Sequence, residues 1–176
     1  MDERFGFIRD KIDIKILILF VLRRLPESVD LPTLADLVIC DDGISYFDFA
    51  DCVAELIDTG HIFCADGMYS ITEKGRRNGE ITESSLPYSV RIKAEKSTNI
   101  QAQHQKRDAL ITTSHEYKNR MGYVVSLALS DGISDIISLG LTVGSEDHAL
   151  FVENNFRQNA EKIYDKILEI LTEENK

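Results

Sequence analysis

The chain has 176 residues, enough for one ordinary domain or two small ones. Hydrophobic residues make up 43% and charged residues 28%, which allows a packed core and excludes wholesale disorder. The net charge of −10 repels polyphosphate at long range, and the longest apolar run, Ile16 to Leu22, is too short to span a bilayer.

The charged start MDERFGFIRDKID has no signal-peptide core, and the expected location is the cytoplasm. Ile14 to Leu25 is apolar on nearly every side, as in a helix buried all round. With Asp13 as cap and Pro26 as stop, it predicts a first helix over 13–25. Asp30-Leu31-Pro32 opens a second helix over 30–40, which Cys40-Asp41-Asp42-Gly43 ends. Ser45 caps a third over 45–59, with Asp48 as the short relative of a capping-box Glu. Its apolar face is Phe49, Val53, Leu56 and Ile57. Asp48, Asp51, Glu55 and Asp58 are assigned to the opposite side, and Gly60 to the left-handed end. His61 to Cys64 and Met68 to Ile71 form a hairpin that turns at Asp66-Gly67. Three helices followed by a hairpin is the winged-helix order.

Arg76 to Ser85 reads as a linker or weak helix, and Pro87 starts another helix through Tyr88, Arg91, Ile92 and Glu95. The polar stretch to Arg107 links two domains. Ala109–Tyr117, Tyr123–Leu129 and Ile133–Val143 are three strands of an antiparallel meander. Asp131-Gly132 gives a second turn signal, and Gly140 marks a bulge. Ser145 caps a last helix over 145–171, whose apolar stripe includes Val152, Phe156, Ile163, Ile167 and Ile170. The fold class is α+β: an N-terminal winged helix (three helices plus β-hairpin), then a three-stranded antiparallel meander with a long C-terminal helix. The division is 1–80 for the winged helix, 81–107 for a linker or helical segment, and 108–176 for the meander and helix.

Leu56, Gly60 and Ile62, followed by Tyr69, Ile71, Thr72, Lys74 and Gly75, make the pattern L-x-x-x-G-x-I, then Y-x-I-T-x-K-G. It resembles the third-helix-to-wing segment of many bacterial winged-helix regulators. The whole chain more closely resembles domain-of-unknown-function family 4364. That resemblance is carried by I-D-I-K-I-L-I-L-F-V-L at Ile12 to Leu22, I-S-Y-F at Ile44 to Phe47 and F-R-Q-N-A-E-K-I-Y at Phe156 to Tyr164. It implies a winged helix joined to a small α/β domain and a transcriptional-regulator-like role. It brings no activity.

No nucleophile elbow, phosphate loop, dinucleotide fingerprint or zinc-protease motif is present, so the chain reads as non-enzymatic and cofactor-free. Cys40, Cys52 and Cys64 at twelve-residue spacing fit no disulfide framework and no zinc knuckle. DNA is the default ligand of a winged helix, yet Leu25 to Glu73 contains no Lys or Arg and eleven acids. Asp48, Asp51, Glu55 and Asp58 would face the groove, with Asp41 and Asp42 at its mouth. Any DNA contact falls to Lys74, Arg76 and Arg77 after the wing, or to Arg91, Lys93 and Lys96 beyond it, in a non-standard docking. Arg23, Arg24, Lys106 and Arg107 are the other bases weighed for this role. The competing expectation is a protein-interaction or dimerisation module whose acidic third helix suits a basic partner. A homodimer is expected, with the first and last helices as the strongest apolar surfaces.

Overall fold

The computed structural model describes residues 6–8, 10–119 and 121–172. It divides into two compact units, 1–105 and 106–176. Together they hold six α-helices and two three-stranded antiparallel sheets among the described residues, an α+β content.

In the first unit α1 spans Lys11–Leu22, α2 Leu31–Val38 and α3 Tyr46–Asp58. Asp10, not Asp13, caps α1, accepting from the Ile12 and Asp13 amides at 2.9 Å each. Asp13 is left in the first turn, where the macrodipole favours an acid. Ile14 and Ile16–Leu22 are all buried, because α1 packs against α2, α3, α4 and β3. Of the apolar residues of the first helix only Ile12 stays exposed. The others make the core instead.

Strands β2, Ile62–Ala65, and β3, Met68–Ile71, form the expected hairpin. Asp66 and Gly67 both have positive φ (50° and 76°), as a two-residue primed turn needs. A two-residue strand β1, Val29–Asp30, adds to the other side of β3, so the sheet order is β1-β3-β2. Thr72 then caps α4, Glu73–Thr82. A single 3-10 turn, Glu83–Ser85, leads to α5, Tyr88–Ala109.

The region read as a linker or helical segment is thus largely helical. Val90, Ala94, Thr98 and Ala102 of α5 are buried, and the three apolar ones belong to the first core. Thr98 satisfies its hydroxyl by donating to the Ala94 carbonyl (2.6 Å). Gln105 clasps the chain between α1 and β1: its Oε1 accepts from the Glu27 amide, and its Nε2 donates to the Glu27 and Ser28 carbonyls.

The second unit is the meander β4, Ile111–Lys118, β5, Gly122–Ser130, and β6, Asp135–Val143, with α6, Glu146–Thr172, on one face. Val125, Leu127 and Leu129 alternate into its core against Ala149, Phe156 and Ala160. Gly140 makes no bulge. It pairs regularly with Ser126, and the register slips at Leu129/Ser130 instead.

The last helix is broken at Asn159 (φ −130°, ψ 20°). A guanidinium takes up carbonyls next to the break: Arg107 donates to the Arg157 carbonyl at 2.9 Å and to the Gln158 carbonyl at 3.4 Å. The same group grips Glu161 through two 2.7 Å bonds, which hold the Glu161 carboxyl below the usual range.

Candidate interaction surface on helix α3

Helix α3 buries Phe49, Cys52, Val53 and Leu56. At about 100° per residue, Phe47, Asp51, Ala54 and Asp58 fall on the far side. Phe47 is 83% exposed, and beside it Tyr46 is 54% exposed. The outer face is therefore led by the Phe47 ring, with acids behind it, while half-exposed Tyr46 flanks it with its ring 5.9 Å from that of Phe49.

The four acids assigned to this face divide. Asp48 is turned into the cap: its carboxylate accepts from the Ser45 hydroxyl (2.7 Å), and that hydroxyl accepts from the Asp48 amide (3.1 Å). Glu55 lies on the flank toward α1, bound to Lys15 and 3.6 Å from Lys11. The Lys15 hydrogen bond and charge hold the Glu55 carboxyl below its usual range. Asp51 points outward yet receives the Lys11 ammonium at 2.9 Å, a bond that raises the lysine. Asp58 is exposed at the far end. Lys11 and Lys15 thus offset part of the charge that the sequence places on α3.

Asp41 is not at a groove mouth. It is buried, and it accepts from the amides of Phe7 (3.2 Å), Ile8 (3.3 Å) and Gly43 (3.0 Å). Those bonds tie the residues before α1 to the α2–α3 loop. Asp42 stays exposed.

Most of the bases weighed for DNA contact already have partners within the chain. Lys74 donates to the Thr59 carbonyl at the end of α3 (2.6 Å), and Arg76 to the Arg23 carbonyl at the end of α1 (3.3 Å). Arg77 pairs with Glu73 one turn back. Arg91 stacks on Tyr88, its centre 5.9 Å from the ring. Arg23 and Arg24 converge on Glu83 at 2.7 and 3.1 Å, and Arg24 lies 3.6 Å over the Phe20 ring. Lys93 and Lys96 are exposed on α5 and make no ion pair among the described residues.

One polar group escaped the sequence reading. His115 on β4 meets Glu153 on α6, ring Nδ1 to carboxylate at 2.6 Å, and the other Glu153 oxygen accepts from the Thr113 hydroxyl (3.3 Å). The signal was present: 113 and 115 share the register side of Leu127 and Val125, so β4 turns polar residues inward. The pair joins sheet to helix, and no group of three or more potential metal ligands forms among the described residues.

What these features define is a two-unit α+β chain with exposed aromatic residues on α3. The chain belongs to the family described as domain of unknown function (DUF4364), whose model matches residues 14–171. Comparison with curated proteins and with solved structures gives no match.

Proposed function

We propose that this is a non-enzymatic regulatory protein with a winged-helix N-terminal unit, and that α3 docks a protein partner instead of reading DNA. The order α1-α2-α3 followed by the β2–β3 hairpin supports the winged-helix reading. The observation that carries the docking reading is the outer face of α3: Phe47 and Tyr46 exposed, Asp51 and Asp58 beside them, and no base on the helix. Exposed aromatic anchors rimmed by charge suit a protein interface, and the acids select a basic partner segment. No counterions would be released from the DNA here, because displacing them needs a Lys or Arg that α3 and the β2–β3 hairpin lack. A second reading has one observation in its favour: the exposed ammonium groups of Lys93 and Lys96, one turn apart, would serve a weak backbone contact to DNA.

The test is the affinity for a generic duplex as a function of salt, where each neutralised phosphate adds about −0.9 to the log–log slope. The expected result is weak or no binding near physiological salt, with tighter binding when Asp51→Asn and Asp58→Asn are combined. Tight wild-type binding with a steep slope, weakened by the same pair, would sink the docking reading. Binding that disappears with Lys93→Gln and Lys96→Gln alone would select the second reading.

A further inference from the structure

Strand β6 is the edge of its sheet, with β5 as its sole partner among the described residues. Edge strands are ordinarily guarded by charge, proline or short length. The other edge, β4, carries His115, Glu116 and Lys118. By contrast, Ile136 to Val143 has no charged residue and no proline. Its one irregularity lies at the start, where the register slips between Leu129 and Ser130, so Ile137–Val143 is regular. The inner face of this strand is also poorly covered. Helix α6 lies mainly over β4 and β5, which leaves Leu141 44% exposed and Ile137, Leu139 and Val143 only partly buried.

Gly140 is the second observation. Its φ is not positive, and a Cβ built there meets nothing within 4 Å. Neither strain nor crowding in the monomer requires a glycine, and a glycine inside a strand weakens it. Strand side chains stand perpendicular to the sheet, so Gly140 leaves the outer face bare at mid-strand and adds no charge or bulk that would guard this edge.

We propose that two copies of this chain join edge to edge through β6, antiparallel about a two-fold axis at Gly140, into one six-stranded sheet. The register follows from two requirements. Inner residues must meet inner residues, and the regular segment must overlap fully. Only an axis at Gly140 meets both. Ile137 then faces Val143 of the second copy, Leu139 faces Leu141, Ser138 faces Thr142, and Gly140 faces Gly140. Every pair is apolar with apolar or small with small, and no like charges meet although each chain carries −10. Seven residues give an edge about 24 Å long. With side chains on both faces it covers roughly 500 Å² per copy, at the low end for a specific interface. The pairing stands independently of the reading of α3.

The experiment is sedimentation equilibrium on the full chain up to about 100 μM, a range that resolves micromolar association. The wild type should approach twice the 19.9 kDa chain mass. Gly140→Lys puts two ammonium groups directly opposite each other, where like charges oppose pairing, and should weaken association by about tenfold or more. The monomer has room for that side chain, so its circular dichroism should not change. The Gly140→Cys variant should crosslink 140 to 140 with a short bifunctional reagent, read by peptide mass spectrometry against the wild type. A wild-type monomer at the top concentration overturns the proposal. So does a dimer indifferent to Gly140→Lys, or a Gly140→Cys variant in which position 140 does not crosslink to its copy.

Discussion

Substitution of Gly75 by alanine sets two physical effects against each other. Gly75 lies inside α4, where helix propensity alone makes alanine better by about 1 kcal/mol. The tertiary structure forbids that gain. A Cβ at this position would overlap the His61 carbonyl oxygen and lie 2.9 Å from its carbon, both backbone atoms. Relief requires α4 to move away from the α3–β2 junction. That junction is stitched by Thr72, whose hydroxyl donates to the Gly60 and His61 carbonyls at 2.8 and 2.9 Å and accepts from the Gly75 amide at 3.1 Å. Overpacking costs about 1–3 kcal/mol, and loss of one or two of these hydrogen bonds adds about 1 kcal/mol each. The expected net effect of Gly75→Ala is a destabilisation of about 3 kcal/mol. Gly79→Ala on the same helix is the control: its Cβ would meet the Leu19 Cβ at 3.2 Å, a side-chain contact, so its change should stay within about 1 kcal/mol of zero. Urea unfolding at equilibrium reads both. If Gly75→Ala proves as stable as the wild type, the close approach of α4 to His61 is wrong, and the glycine of the Y-x-I-T-x-K-G pattern needs another explanation.

Three further perturbations address the polar framework. Glu83→Gln should cost about 2 kcal/mol by chemical denaturation, between the values for exposed and buried pairs, because Arg23 and Arg24 both lean on that half-buried carboxylate; a change near zero would make the two arginines ordinary surface charge. Cys52, whose thiol burial pushes up to about 11 and which donates to the Lys11 carbonyl, should resist alkylation at pH 8 until the protein unfolds, whereas half-buried Cys64 reacts in the native state. The lowered Glu55 carboxyl contributes stability that is present above the usual carboxylate range and is lost as pH falls through its folded value. Glu55→Gln should therefore flatten the acid limb of the stability curve, and an unchanged acid limb would remove the α1–α3 ion pairs from the account.

Strong local signals survived into the structure, and weak periodicities did not. Ser45, Asp66-Gly67 and Thr72 state their roles in a few residues, because caps and primed turns are local chemistry. The apolar stripe of α1 is equally plain. Helix α5 was harder to read. Its buried stripe is Val90, Ala94, Thr98 and Ala102, small residues every fourth place among polar ones, and such a stripe carries little hydropathy contrast. Small side chains are what close packing against the first core demands. The Asn159 break was invisible for another reason: it depends on Arg107, about fifty residues away in sequence, taking up the adjacent carbonyls. Helical spacing correctly placed Asp51 and Asp58 outward, but it could not show that Lys11 and Lys15 reach Asp51 and Glu55 from α1.

The same engagement limits what the chain can bind. Summed charge treats every base as available, whereas most of these bases are already engaged. Lys74 and Arg76 serve carbonyls at the ends of α3 and α1, Arg107 those beside the α6 break, and Arg23, Arg24, Lys11 and Lys15 serve carboxylates. Moving such a group to a phosphate exchanges one acceptor for another and leaves the first unsatisfied, so the net gain is small. A phosphate-binding surface needs cations whose native partner is water, and Lys93 and Lys96 are two such groups. The Phe47 ring on α3 is in the opposite position: it is exposed, and covering it gives free energy back at about 25 cal/mol per Å² of apolar surface. If α3 docks a protein as proposed, Phe47→Ala should leave DNA affinity where it was and weaken that docking. A loss of DNA binding on that single change, measured at fixed salt, would instead place the ring against the duplex.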